Sequence, residues 1–76
     1  MALISELRIG DTAKVVSFKK DARAYRERLM ALGLTPGVSF VLRRLAPLGD
    51  PIELAVRGYL LSLRSDQAAL IAINPL

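Results

Sequence analysis

A small β-barrel carrying a single helix is the fold this sequence predicts, and three observations predict it. Five short runs of alternating apolar residues succeed one another, with only one clear helical period among them. Brief connections rich in Gly, Pro and Asp join the later runs, as in domains built from hairpins. The chain has 76 residues, 53% of them hydrophobic, and no Cys, so its core must be aliphatic and hold without disulfides. Closing the sheet into a barrel would remove the exposed strand edges that invite aggregation.

Each element has its own warrant. "TAKVVSF", residues 12–18, is rich in Val and Thr and follows the turn signal Gly10-Asp11, so it reads as the first strand. Ala22, Tyr25, Leu29 and Leu32 then recur at steps of three and four, the mark of one apolar helix face, with Asp21 expected as its N-cap. Arg23 and Glu27 point away from that face, and Arg26 and Arg28 flank it.

The helix is expected to end in "RLMALGLTPG". Gly33 suits the left-handed position after the last turn, and Leu34 folds back on Leu29. Thr35-Pro36-Gly37-Val38 reads as a type II turn, with Pro at its second position and Gly at its third.

Four more strands follow in "VSFVL", "IELAVR", "YLLSLR" and "LIAIN". "APLGDP" and Gly58 supply turns between them, and "SDQAA" is expected to form one helical turn capped by Ser65 or Asp66. The prediction is a mainly β, five-stranded SH3-like barrel with one helix inserted after the first strand, in a single domain over residues 1–76. An OB-fold is the alternative, but usually needs a longer chain.

Composition narrows function by elimination. With no His and no Cys there is no proton shuttle at neutral pH and no thiol nucleophile, and the seven carboxylates are scattered. Asp50, before Pro51, reads as a turn residue rather than a general base. No phosphate loop occurs, since Gly33 and Gly37 lack a following Lys-Ser/Thr and lead into a strand. An enzyme is not expected, nor a metal site or cofactor.

The net charge is +4, and "KKDARAYRER" holds a local +3 of it. Such a face could meet nucleic acid, anionic lipid or an acidic protein. The chain has only four aromatic residues, Phe18, Tyr25, Phe40 and Tyr59, and no Trp. That is too few for a base-stacking platform or a groove for proline-rich peptides. A protein-binding module remains. Neither the amino terminus nor "IELAVRGYLLSL" is long and apolar enough for a signal peptide or membrane span, and the lack of Cys fits a reducing compartment. A soluble, cytoplasmic protein is expected.

The ordered motifs resemble those of the FeoA family. They are Arg-Leu-x-x-Leu-Gly-Leu-x-Pro-Gly, Ala-Pro-x-Gly-Asp-Pro, Arg-Gly-Tyr, Leu-Arg and Ala-x-x-Ile, preceded by "LISELRIGDTAKVVSF", which resembles the family's usual Leu-x-x-Leu-x-x-Gly opening with Ile4 at its first position. The resemblance spans nearly the whole chain. It implies an SH3-like barrel and a role beside FeoB, a membrane ferrous iron permease with a cytosolic GTP-binding domain, with possible placement at the inner membrane through that partner. The same barrel occurs at the carboxy terminus of iron-dependent repressors. A chain with its own Met1 and no helix-turn-helix is expected to be the free-standing component. A basic module associated with nucleic acid is the other alternative.

The family motif falls on Arg28, Leu29, Leu32, Gly33, Pro36, Gly37, Pro47, Asp50, Pro51, Gly58, Leu63 and Arg64. Leu29, Leu32 and Leu63 are expected in the core, and the glycines and prolines at corners. Arg28 and Arg64 have no such duty. Arg28 either drapes over the core edge or pairs with Asp50 or Glu53; alternatively Arg23, Arg26 and Arg28 form a basic docking ridge, with Met30 beside it. Arg23, Arg26, Arg28, Met30 and Arg64 are therefore the candidate partner-binding residues.

Overall fold

Alternating apolar runs pair into one antiparallel sheet, described with its helices in a computed structural model over residues 1–47 and 49–76, all side chains included except that of Asp21. The strands are β1 (Ala2–Leu3), β2 (Thr12–Phe18), β3 (Ser39–Leu45), β4 (Ile52–Val56), β5 (Tyr59–Leu63) and β6 (Ile71–Pro75). Helix α1 (Arg23–Ala31) stands between β2 and β3, and the single turn α2 (Ser65–Ala68) between β5 and β6. The sheet order is β1-β6-β2-β3-β4-β5.

Period-two alternation sets the core. Phe40 and Leu42 of β3, Leu54 and Val56 of β4, Leu63 of β5, and Ile71 and Ile73 of β6 are all buried on one side of the sheet, joined by Leu29 of α1. Bulges between Val15 and Ser17 on β2 and between Leu42 and Arg44 on β3 bend the sheet around that core.

Several elements differ from the sequence expectation. β1 was not expected: at two residues it carries no alternation to detect, and its pairing of Ala2 with Ile73 and Leu3 with Ala72 is wholly non-local. After it, a 3-10 turn at Ile4–Glu6 packs against α2 and β6, and Ile4 and Leu7 enter the core. β1 and β5 are the two ends of the sheet and do not pair, so the barrel keeps two strand edges.

Entry to α1 also differs. A 3-10 turn over Lys20–Ala22 leads into the helix, whose N-cap is Ala22 with no side-chain cap; the side chain of Asp21 lies outside the described residues. Tyr25, expected on the buried face, is 40% exposed, while Ala22 and Leu29 of that face are buried. Arg57 is not a strand residue. With Gly58 it makes the two-residue turn between β4 and β5, at φ +46° and +87°, the conformation that matches strand twist in tight hairpins.

Arg64, and neither Ser65 nor Asp66, is the N-cap residue of α2, although Asp66 Oδ1 accepts from the Gln67 N–H at 2.9 Å. The Arg64 N–H donates to Gln67 Oε1 at 3.2 Å. The Asp50 carboxylate, fifteen residues away, accepts from the Ser65 N–H and, at 3.1 Å, from its hydroxyl. An aspartate that satisfies a helix-start N–H from another loop does the work of a cap across the fold.

Candidate docking face

The two ends of α1 are built differently. At the C-terminal end, the Gly33 N–H donates to the Met30 carbonyl at 3.0 Å and the Leu34 N–H to the Leu29 carbonyl at 3.1 Å. These are the two bonds of a Schellman cap, with Gly33 at φ +101°. Leu29 and Leu34, the pair expected to meet across it, are both fully buried. The Val38 N–H then donates to Thr35 at 3.0 Å across Pro36 and Gly37, with φ +93° at Gly37, as the type II turn requires.

A further tie reaches the corner from β5. The Tyr59 hydroxyl donates to the carbonyl of Leu32, the last residue before Gly33. It passes so close that a Cβ built on Gly33 would overlap the phenol oxygen. Gly33 is thus required for its φ and for its missing side chain. Sequence reasoning placed Tyr59 at a strand junction in the Arg-Gly-Tyr motif but not against Gly33, 26 positions earlier.

Among the described residues, the N-terminal half of α1 makes fewer ties. Arg23, Arg26 and Arg28 are all exposed, but they do not share one face. At about 100° per residue, Arg23, Arg26 and Met30 fall within one ~60° sector, whereas Arg28 lies ~140–160° around the helix from the two arginines. Its nearest neighbours around the axis within α1 are Ala24, at ~40°, and Tyr25 and Ala31, each at ~60°. The proposed three-arginine ridge therefore divides into a pair with Met30 and a separate Arg28. Among the described residues, Arg28 forms no ion pair with Asp50 or Glu53.

The pair has other company. Arg23 and Arg26 line an open groove with Phe18 and Lys20, and a second hollow sharing Phe18 and Lys20 continues past Lys19 and Ala72 to the edge of β1. Phe18, Lys19 and Lys20 were not among the candidates from sequence. The signal for the lysines was present in the basic run, but only the pairing of Phe18 with Ile71 puts an apolar floor beneath them.

Arg64 stands elsewhere, at the N-cap of α2, with its Nε 3.9 Å from Asp66 Oδ1; both side chains are largely exposed, so the pair contributes little. Leu63 is buried as expected, Leu32 half-buried, and Pro36, Pro47, Pro51 and Gly58 lie in exposed turns. Among the described residues, no three His, Cys, Asp or Glu side chains come together as a metal site would require. No described helix is long and apolar enough to cross a membrane.

The sheet, its bulges and the inserted helix define a small SH3-like barrel with Arg23 and Arg26 exposed on one face of that helix. The chain belongs to the FeoA domain family, whose sequence profile matches residues 3–75. It is 33% identical over 71 residues to an Fe(2+) transport protein A/Fe(2+) transporter FeoB fusion protein of Porphyromonas gingivalis. That match takes in 93% of this chain but only 8% of the fusion protein.

Among solved structures, the FeoA protein of Chlorobium tepidum is 44% identical and superposes with a TM-score of 0.87, covering 99% of this chain and 70% of that one. Stenotrophomonas maltophilia FeoA, crystallised with zinc and described as a prokaryotic SH3 domain protein, is 25% identical with a TM-score of 0.80, covering 97% and 91% of the two chains. The SH3-like class expected from the strand pattern is the class of these neighbours.

Proposed function

We propose that this chain is a cytosolic accessory protein of ferrous iron uptake, acting by protein contact on a FeoB-type membrane permease and carrying out no chemistry of its own. The observation that carries the reading is the exposed Arg23–Arg26 face on a helix held at its far end by the Gly33 corner. A surface already fixed in its binding shape loses less entropy on docking than a flexible one. The partner is suggested by the Porphyromonas gingivalis relative, in which a transport-protein-A portion and a FeoB portion form one polypeptide. Such linkage turns docking into an intramolecular event. Arg23, Arg26 and Met30 are the contact residues in this reading; Arg28 and Arg64 lie outside it.

The test is co-purification of the chain with a full-length, detergent-solubilised FeoB-type permease. Saturable binding that weakens as salt is raised supports the proposal, because rim charges act through a screened field. Absence of binding at low salt removes the permease as partner.

A further inference from the structure

The groove beside α1 has an apolar floor as well as a basic rim, and the two together specify more than a generic attraction for negative charge. Phe18 is half-buried at the end of β2, where it pairs with Ile71 and packs against the edge of the core. It lines both the hollow with Lys20, Arg23 and Arg26 and the hollow with Lys19, Lys20 and Ala72. Over residues 19–26, Lys19, Lys20, Arg23 and Arg26 stand against the single acid Asp21, so most of the chain's net charge of +4 surrounds this one depression. Among the described side chains, Glu6, at the β1 end, is the carboxylate that lines it.

We propose that this groove binds a segment of a partner protein in which acidic residues flank one apolar side chain, the apolar group seated on Phe18 and the carboxylates on the rim. This rests on the accessory-protein reading above and adds the chemistry of the partner. Charge complementarity selects an acidic ligand over a neutral or basic one. The floor selects a protein segment over a simple polyanion, since a polyphosphate or lipid headgroup leaves the apolar surface of Phe18 unfilled. Burial of one apolar side chain on that floor supplies affinity that salt does not screen.

The probe is a random peptide library displayed against the folded full chain, followed by titration of an enriched peptide into isotope-labelled protein. Enrichment of Asp and Glu around a single Leu, Ile, Met or Phe is expected, with amide shifts centred on Phe18, Lys20, Arg23 and Arg26. Arg23→Glu with Arg26→Glu should lower affinity about tenfold or more, and replacing the peptide's apolar residue by Ala should lower it by a similar factor. Phe18→Leu keeps an apolar side chain in the strand, and should weaken binding while the protein still unfolds cooperatively.

Enriched peptides without acids, shifts centred elsewhere, or indifference to the peptide's apolar residue would overturn the inference. So would tighter binding to vesicles of phosphatidylglycerol and phosphatidylcholine, or to inorganic polyphosphate, than to any enriched peptide. The same variants are carried into the permease assay. Permease binding untouched by Arg23→Glu/Arg26→Glu and Phe18→Leu would sink the groove and leave the partner standing. Acidic peptides bound at the groove with no permease binding would do the reverse.

Discussion

The two ends of α1 obey different physics. Its last turn is held by two hydrogen bonds from the corner, Gly33 to Met30 and Leu34 to Leu29, and by one from β5, Tyr59 to Leu32. Leu29 beneath it is completely buried. Its first turns, by contrast, begin without a side-chain cap on Ala22 and present Arg23 and Arg26 to solvent beside an open groove. Structural residues crowd one end and the candidate binding arginines the other, with Met30 serving both: its carbonyl holds the cap and its side chain lies in the sector of Arg23 and Arg26. One helix can therefore be a rigid bracket and a recognition surface at once when its charged contacts and its anchoring bonds fall on different turns.

Substitutions at the two ends should therefore separate cleanly. The largest effect is expected for Leu29→Ala, which empties a core position and should cost ~2–5 kcal/mol. Total stability for a domain of this length is about 4–11 kcal/mol, so urea unfolding should shift far or lose its native baseline. Gly33→Ala comes next, at about 1–3 kcal/mol, from a Cβ at φ +101° and displacement of the Tyr59 hydroxyl. Tyr59→Phe should cost ~1 kcal/mol by leaving the Leu32 carbonyl without that donor.

A double-mutant cycle sharpens the point. If Tyr59 and Gly33 are coupled as the geometry requires, Gly33→Ala should cost roughly 1 kcal/mol less in the Tyr59→Phe background. Additive costs would show that the φ requirement acts alone. Asp50→Ala tests a different tie, its bonds to Ser65 at the start of α2, and should cost ~1 kcal/mol by thermal or urea unfolding. The smallest stability effect, within ~0.5 kcal/mol, is expected for Arg23→Glu with Arg26→Glu, since both side chains are exposed and outside the core.

Much of this was legible in the sequence because it is local. The Gly33 cap, the Pro36-Gly37 turn and the inward sets Phe40/Leu42, Leu54/Val56 and Ile71/Ile73 each follow from spacing within a dozen residues. The missed pairings are all long-range. β1 is two residues long and exists only through its pairing with β6. Tyr59 against Gly33, and Asp50 on Ser65, join residues that only the folded sheet brings together. Arg28 was grouped with Arg23 and Arg26 because sequence proximity is not angular proximity on a helix. The basic run was visible from the start, but the apolar floor that turns it into a groove is contributed by β2 and β6.

Docking through one face of α1 is decided by titrating the wild type, Arg23→Glu/Arg26→Glu and Arg28→Glu against a detergent-solubilised FeoB-type permease at low and high salt. Salt-sensitive binding that falls about tenfold in the double variant and stays near wild type for Arg28→Glu is the predicted result. Equal weakening per charge at Arg28 would mean that net charge, and not one face of α1, governs the contact. Full binding by the double variant would remove this helix end from the interface altogether.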